Sequence, residues 1–231
     1  MLEYLMHLME RYYDAFFANG RYMAYIKGLG VTLEISFYAV IIGVLLGTFV
    51  AVIKYFAISH KSLKPLDMIC NVYINIIRGT PVYVQLLLLN ALILSVGGKQ
   101  VAMITFGINS GAYVAEIIRA GLMSVDSGQY EAGTSLGLKD TVVMRFIILP
   151  QAIKNILPAL GNEFITLVKE TSIAGALAVN DLTKAAERVG GATLDLIPPL
   201  IGMAFIYFLI VIGLTKLLHM FERRLARSDY R

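Results

Sequence analysis

The stretch DSGQYEAGTSLGLKDTVVMRFIILP, residues 126–150, is a polar interruption in a chain that otherwise consists mostly of apolar segments of membrane-spanning length. Asp126 and Gln129 have the spacing of a capping box, so the stretch predicts a short helix that begins close to Asp126. Gly137 is expected to end this helix or to let another backbone approach closely. Pro150 fits the first turn of a following membrane helix, where its missing N–H group has no intrahelical partner to lose.

The composition of the chain is that of an integral membrane protein. It has 231 residues, of which 58% are hydrophobic and 16% are charged, and its mean hydropathy is +0.71. A soluble domain carries roughly a quarter charged residues. The net charge of +4 does not indicate a nucleic-acid partner, because the basic residues flank apolar segments instead of forming one patch.

Sequence motifs for catalysis or metal binding are absent. Cys70 is the single cysteine, which excludes an intramolecular disulfide and a cysteine metal site, and the three histidines lack ligand spacing. No HExxH or GxSxG pattern occurs, and Gly97 and Gly98 lack the spacing of a phosphate-binding loop. We therefore predict that the chain is not an enzyme, that it holds no metal or cofactor, and that it hydrolyses no ATP by itself.

Five apolar segments are long enough to cross a bilayer, since about 20 helical residues cover its hydrocarbon core of roughly 30 Å. In approximate numbers they run over residues 28–55, 65–96, 101–122, 149–176 and 194–218. The second segment is too long for one straight span and is predicted to break at residues 78–81, with Thr80 as the N-cap and Pro81 as the first residue of a new helix.

Two polar residues stand inside the predicted spans. Asn109 belongs to a run with Gly111 that lets another helix approach closely, and its amide can hydrogen-bond across that contact. Glu163 lies well inside the fourth segment, where an unpaired carboxylate costs a few kcal/mol. It pairs either with Lys169 or an arginine of a neighbouring helix, or with the ammonium group or cationic side chain of a substrate. Both interpretations fit the sequence equally well.

The first 27 residues contain apolar positions at helical spacing, which indicates an amphipathic helix lying in the membrane interface. These positions are Leu2, Leu5, Met6, Met9, Tyr13 and Phe16. A solvated segment that frays is an equally good interpretation. At the other end of the chain, residues 223–231 form a basic tail, which leaves residues 28–222 as the membrane domain.

The distribution of lysine and arginine predicts the orientation of the chain. Five spans with an external N-terminus and a cytoplasmic C-terminus put thirteen of the twenty basic residues on the inner side, as the positive-inside rule requires. Those thirteen are Lys54, Lys61, Lys64, Arg78, Arg119, Lys139, Arg145, Lys154, Lys216, Arg223, Arg224, Arg227 and Arg231.

The stretch 126–150 resembles the EAA loop of the membrane subunits of bacterial ABC importers. That family has Glu-Ala-Ala, three residues, Gly, nine residues, Ile, one residue and Leu-Pro, which this chain matches at Glu131, Ala132, Gly137, Ile147 and residues 149–150. The chain departs from the pattern only where Gly133 replaces alanine. An ordinary capped loop is the simpler interpretation, but the spacing over twenty residues is too specific for it.

Other parts of the chain resemble the polar amino acid branch of the same family. They are Arg78-Gly-Thr-Pro with the Val-Tyr-Val-Gln that follows, the run from Asn109 to Arg119, and the cluster Lys169-Glu-Thr-Ser. The resemblance implies an all-α integral membrane fold of the type I ABC importer permease kind. That fold has five transmembrane helices, an N-terminal interfacial helix and a short cytoplasmic coupling helix that sits in a groove of a separate ATPase.

The resemblance also implies a function and partners. The chain would be one permease subunit of an ATP-driven importer of polar amino acids in the bacterial cell membrane. It would work with a second permease subunit, identical or different, a dimer of ATPase subunits that bind ATP and magnesium, and an external binding protein. The predicted coupling residues are Glu131, Ala132, Gly133 and Gly137, and the predicted substrate-pathway residues are Asn109, Asn162, Glu163 and Lys169.

The substrate class and two alternative functions are separate questions. A single deep carboxylate at Glu163 favours arginine, lysine or histidine, with glutamine or cystine next. An ion-coupled secondary transporter would also use broken helices, but it would more often show inverted repeats, and none is evident. A membrane-embedded enzyme would need a catalytic constellation inside the spans, and the sequence has none.

Overall fold

The computed structural model describes residues 1–93 and 95–226, which are almost entirely helical. The helices are α1 (Leu2–Phe16), α2 (Tyr22–Ser59), α3 (Lys64–Gly79), α4 (Val82–Leu92), α5 (Gly98–Met123), α6 (Ser127–Ser135), α7 (Asp140–Val143), α8 (Leu149–Glu170), α9 (Leu182–Thr193) and α10 (Ile197–Ala226). A π-helical turn at Met144–Ile148 joins α7 to α8, and a 3₁₀ segment at Thr171–Leu177 follows α8.

The helices form the predicted all-α membrane fold. Within the described residues, four segments are long and apolar enough to cross a bilayer: α2, α5, residues 140–177 and α10. Helices α3 and α4 together pass the same test, but they are bent by 111° at the break between them, so the number of spans is five if this pair counts as one. The bounds of the spans differ from those predicted, since α2 begins at Tyr22 and α10 at Ile197.

The centre of the fold is the close packing of α2 against α5, which depends on glycines in both helices. A Cβ atom added at Gly47 of α2 would lie 2.7 Å from the carbonyl oxygen of Gly111. One added at Gly107 of α5 would lie 2.6 Å from the Cβ of Ile42. The prediction that Gly111 permits close approach of another helix is therefore confirmed, and that helix is α2.

The predicted break in the second apolar segment is present, but its caps differ from the prediction. Pro81 is the N-cap of α4, and Thr80 is the C-cap of α3. The hydroxyl of Thr80 donates to the carbonyl of Ile76, 2.8 Å away, and so points back into α3. The prediction that Thr80 is the N-cap of α4 was wrong, because the sharp bend turns its side chain away from the first N–H groups of α4.

The helix that carries Pro150 begins earlier than predicted. It starts at Asp140, and the backbone stays helical through the π turn into α8, so Pro150 lies inside a continuous helix. A π turn widens the backbone by one residue per turn, which relieves the clash between a proline ring and the preceding carbonyls. The Nε2 of Gln151 donates to the carbonyl of Ile147 at 2.8 Å, which satisfies an acceptor at this turn.

At the opposite end of the molecule, α1 packs beside α9 and α10. Arg11 and Asp195 form a salt bridge of 2.6 Å, and the ring of Phe16 stacks on Tyr25 with centroids 4.9 Å apart. The predicted helix over the N-terminal residues is therefore confirmed, and its apolar positions other than Phe16 are exposed.

The C-cap of α9, Leu194, has a left-handed conformation (φ 56°), which is why α10 begins after the predicted position. Arg227 and Arg231 of the predicted tail lie outside the described residues.

Candidate coupling helix and transport site

Helix α6 is the short helix predicted from the polar stretch. Asp126 caps it by accepting a hydrogen bond of 2.7 Å from the backbone N–H of Gly128. Gly137 ends it with φ +78°, its N–H donating to Thr134 and that of Leu138 donating to Gly133. A positive φ is costly for residues with a Cβ atom, so glycine at this position has a conformational reason.

The two faces of α6 have different surroundings. Glu131 and Ala132 are exposed, and the side chain of Leu136 just beyond the helix is 81% exposed. Gly133 is buried, and a Cβ atom added to it would lie 2.8 Å from the Cγ2 of Val143. Of the predicted coupling residues, Glu131, Ala132 and Gly137 are thus open to a partner, whereas Gly133 contacts the chain itself.

Two further contacts tie the coupling segment to the membrane helices. The side chain of Tyr130 in α6 hydrogen-bonds Asp140 in α7, which raises the pKa of the tyrosine. The Nδ2 of Asn155 in α8 donates to the hydroxyl of Ser124 at the end of α5, at 2.8 Å. These contacts join α6 to α7 and the end of α5 to α8.

Asn109 is buried at the contact between α5 and the broken helix. Its Nδ2 donates to the Oε1 of Gln85 at 3.0 Å. The Nε2 of Gln85 in turn donates to the carbonyls of Ile77 and Thr80 at 2.7 and 3.1 Å. Carbonyls left open by the break are thus satisfied by Gln85, and Asn109 holds that glutamine in place.

Glu163 of α8 contacts Ser110 of α5, the residue that follows Asn109. The hydroxyl of Ser110 donates to its Oε1 at 2.7 Å, and Ser110 itself is fully buried against Gly43 of α2. In the described part of the chain Glu163 forms no ion pair. Of the two interpretations of Glu163, the pairing with Lys169 or an arginine is not found among these residues, and a neutral hydroxyl is its partner.

Asn162 and Lys169 lie on a different face of α8 from Glu163. Seven residues separate them, so they share one side of the helix, and both are exposed. Asn162 donates to the carbonyl of Pro158 at 3.3 Å. Glu163 therefore contacts Ser110, the neighbour of Asn109 on α5, whereas the other two predicted pathway residues lie on another face of α8.

Sequence reasoning missed Ser110 and the partners of Arg78. The guanidinium of Arg78 lies 5.1 Å from the ring centroid of Tyr113 and 4.0 Å from Glu116, which also binds Arg119 at 2.8 Å. The sequence did contain a signal for Ser110: it follows Asn109, and the two form a polar pair in a run of otherwise small and apolar residues. The partners of Arg78 depend on a contact between α3 and α5, which is not visible in the sequence.

Comparison with known proteins identifies the family. Residues 43–227 match the family described as "Binding-protein-dependent transport system inner membrane component". The arginine transport system permease protein ArtQ of Bacillus subtilis (strain 168) is 36% identical over 209 residues, which covers 88% of this chain and 93% of that protein. A putative glutamine transport system permease protein of Rickettsia bellii (strain RML369-C) is 38% identical over 208 residues, covering 88% and 93%.

A solved structure agrees with these relatives. The crystal structure of an amino acid ABC transporter with histidines has a TM-score of 0.82 and 45% identity, and it covers 87% of this chain and 94% of that one. None of these similarities supports the alternative of an ion-coupled secondary transporter. The chain therefore belongs to the binding-protein-dependent transport system inner membrane components, as the multi-pass permease subunit of an amino acid ABC importer whose ATPase activity resides in a separate chain.

Proposed function

We propose that this permease couples to a separate ATPase through α6 and imports cationic amino acids by alternating access. Two permease subunits, identical or different, work with two ATPases and an external binding protein. Closure of the ATPase pair on ATP moves the coupling helices together and favours the outward-open packing of the membrane helices. The observation that carries the coupling proposal is the division of α6 into an exposed face and a face packed on the chain.

The exposed face of α6 suits a protein groove better than water. Leu136 projects an apolar side chain that is 81% exposed, next to the small Ala132 and the glycine that turns the chain at residue 137. An apolar anchor with small neighbours is typical of a docked surface, because the anchor is buried and its surroundings let the partner approach. The EAA resemblance implies docking in a groove of the ATPase, and the exposure of this segment supports that proposal.

A substitution at the anchor tests this docking. We expect Leu136→Glu to reduce the permease retained on an affinity-tagged ATPase by about tenfold, because a carboxylate would be buried in the groove. Ser127→Glu is the matched control, since it adds the same charge at the first turn of the same helix, where a carboxylate is favourable. Full retention of Leu136→Glu would refute docking through this face.

The environment of Glu163 supports a cationic substrate. Its carboxylate lies in a membrane helix and has one hydroxyl donor and, among the described residues, no cation. A carboxylate in that position gains most from a ligand that brings a positive charge. The similarity to an arginine permease and to a transporter solved with histidines agrees with this choice, while the glutamine relatives make glutamine the next candidate.

Amino acid uptake by a variant in which a neutral isostere replaces Glu163 tests the substrate class. We expect Glu163→Gln to abolish transport of arginine while leaving assembly with the ATPase intact, because the amide keeps the hydrogen bond with Ser110 but not the charge. Competition by unlabelled glutamine in the same assay shows whether specificity has moved to neutral substrates. Unchanged arginine uptake with unchanged specificity would exclude a role for Glu163 in recognising positive charge.

We infer that α6 is cytoplasmic and that α1 and α9 lie on the external side. The residues Lys54 and Lys64 line the same cavity as Arg119 and Met144, so the turn from α2 to α3 lies on the same side as the coupling segment. That side carries the excess of basic residues, which the positive-inside rule assigns to the cytoplasm. Addition of a reactive cysteine at Ser127, labelled from one side of sealed vesicles, tests the orientation.

A further inference from the structure

A cavity of about 820 Å³ opens at the end of the molecule that carries the turn from α2 to α3. Its walls come from the ends of α2 and α5, from α3 and from the π turn. The volume lies within the range of small-molecule and cofactor sites, roughly 300–1,000 Å³. Neither Asn109 nor Glu163 lines it, so the cavity is separate from the candidate transport site.

The cavity has an excess of positive charge. Lys54, Lys64 and Arg119 line it, and Asp67 is the only carboxylate among its described lining residues. Lys54 lies 3.4 Å from Asp67, and Arg119 is paired at 2.8 Å with Glu116, which is shared with a second arginine. Lys64 is exposed and, within the described residues, forms no ion pair. The cavity therefore favours an anionic ligand.

The basic side chains stand near the helix ends, at the level where lipid headgroups are expected. Lys54 and Arg119 lie five and four residues before the ends of α2 and α5, which at 1.5 Å per residue is roughly 6–8 Å. Lys64 is the first residue of α3 and reaches the same cavity through the short turn after α2. Basic side chains at this level bind phosphate groups of the adjacent leaflet while their stems contact apolar groups.

The rest of the cavity wall is largely apolar. Ile58, Met68 and Met123 line it and are 83%, 69% and 71% exposed. Ala51, about one turn deeper in α2 than the basic end, continues the apolar wall into the span, and Ile148 adds to it from the π turn. The cavity thus combines a basic end with a wall that suits hydrocarbon.

This combination discriminates between classes of ligand. Free phosphate would use only the basic end and would leave large apolar side chains in water. A cationic amino acid would meet an excess of like charge. A phospholipid with a net negative headgroup satisfies both parts, because its phosphate pairs with the lysine that lacks a partner and its acyl chain covers the apolar wall.

We propose that this cavity binds one anionic phospholipid, with its phosphate at Lys64 and Arg119 and an acyl chain along α2 and the π turn. The inference goes beyond transport itself, and it rests on the proposed orientation only for the choice of the cytoplasmic leaflet. Because Met144 of the π turn lines the cavity, the lipid also contacts the connection between the coupling segment and α8.

Native mass spectrometry of the assembled transporter measures this binding. The delipidated complex in neutral detergent is titrated with dioleoylphosphatidylglycerol or with dioleoylphosphatidylcholine, in mixed micelles that have no leaflets. We expect one phosphatidylglycerol per copy of this chain, bound at least about tenfold more tightly than phosphatidylcholine, because each basic residue contributes about fivefold. An excess of sn-glycerol 1-phosphate, which has the charge but no acyl chain, is expected not to displace the lipid.

Three variants test the assignment to this cavity. We expect Lys64→Gln to weaken phosphatidylglycerol binding about fivefold and to leave phosphatidylcholine binding unchanged. Lys61→Gln is the matched control, since Lys61 is an exposed lysine of the same turn and does not line the cavity. Asp67→Asn releases Lys54 from its carboxylate and is expected to tighten phosphatidylglycerol binding by a similar factor. Retention of the ATPase confirms that each variant assembles.

The position of the bound lipid is a separate check. A phosphatidylglycerol with a diazirine in its acyl chain is expected to label peptides that contain Met68, Met123 or Met144. Labelling confined to other parts of the complex would overturn the proposal. Equal affinities of the wild type and Lys64→Gln would do so as well, and displacement by glycerol phosphate would identify a site for a soluble anion instead. Substrate-stimulated ATP hydrolysis in the same preparations reports on the proposed function independently of lipid binding.

Discussion

At the scale of single residues, Asp181 combines a structural role with an energetic cost. It caps α9 by accepting a hydrogen bond of 2.9 Å from the N–H of Lys184. The residue is fully buried, and in the described part of the chain its Oδ2 has no hydrogen-bond partner. Burial, together with nearby Glu187, raises the pKa of this carboxyl to about 6, against the hydrogen bonds from backbone N–H groups, which lower it.

The raised pKa predicts how stability depends on pH. Because the folded chain holds this proton up to about pH 6, whereas the unfolded carboxyl loses it near pH 4, stability contributed by Asp181 is present below pH 4 and is lost as the pH rises through 6. Asp181→Asn keeps a capping side chain without the charge. We therefore expect the variant to be more stable than the wild type at pH 8 by about 3 kcal/mol, and the difference to vanish near pH 4.

Heat resistance in detergent measures this effect. The fraction of protein that stays monodisperse after heating is determined at pH 4, 6 and 8 for both proteins. Ser127→Asn, at the exposed start of α6, is a control for a change of polar side chain at a helix start. If the wild type loses no stability relative to Asp181→Asn between pH 4 and pH 8, ionisation of the buried Asp181 does not destabilise the folded chain, and the prediction is contradicted.

The sequence predicted individual polar residues better than their partners. It identified Asn109 and Glu163 as polar residues inside spans, and both lie where two helices meet. It did not identify Gln85 and Ser110 as their partners, because such pairs are set by which helices pack together. Asn162 and Lys169 were assigned to the same path as Glu163, although α8 turns them to another face.

At the scale of helices, the break between α3 and α4 is held by one side chain. Gln85 donates to two backbone carbonyls and to the hydroxyl of Thr80, and it accepts from Asn109. We expect Gln85→Leu to reduce the free energy of unfolding by about 2 kcal/mol, because it leaves these groups without partners in the membrane. Gln151→Leu is the matched control, since Gln151 makes a single hydrogen bond with an exposed backbone carbonyl.

Thermal inactivation in detergent compares the two leucine variants. The expected order of midpoint temperatures is wild type, then Gln151→Leu, then Gln85→Leu. Equal midpoints for the two variants would show that the break is stabilised by packing and not by the amide of Gln85.

The helix boundaries show what the sequence can specify locally. The break at residues 78–81 was predicted because the residues Gly79 and Pro81 oppose a straight helix. The start of the fourth span was placed near Pro150, although the helix begins at Asp140, since a π turn lets the backbone pass the proline. A π turn depends on the packing of α6 and α8 around it, so the local sequence alone did not predict it.

At the scale of the whole molecule, the membrane-spanning helices were predictable because apolar length sets them, and there are five in the described residues if the bent pair of α3 and α4 counts as one span. The single subunit leaves many large apolar side chains exposed, as expected for a chain that is surrounded by lipid and by a second permease subunit. The coupling segment lies at one end, and α1 with α9 lies at the other. Between these ends lies the close contact of α2 and α5.

The central claim is that α6 transmits the movement of the ATPase through its buried face. Gly133 is the test position, because an added Cβ would meet Val143 while the face towards the ATPase stays unchanged. Gly133→Leu fills the contact between α6 and α7. Gly133→Ala is the matched control, since its Cβ meets the two Val143 methyls at 2.8 and 3.1 Å and so displaces far less than leucine does, and since alanine is the residue of the EAA pattern.

The decisive measurement is ATP hydrolysis by the reconstituted transporter, with and without the binding protein loaded with arginine. We predict that Gly133→Leu retains the ATPase and its basal hydrolysis but loses the stimulation and the uptake of arginine, whereas Gly133→Ala keeps both. Stimulated hydrolysis and uptake at the wild-type level in Gly133→Leu would contradict the account, because movement would then reach the membrane helices without the contact between α6 and Val143.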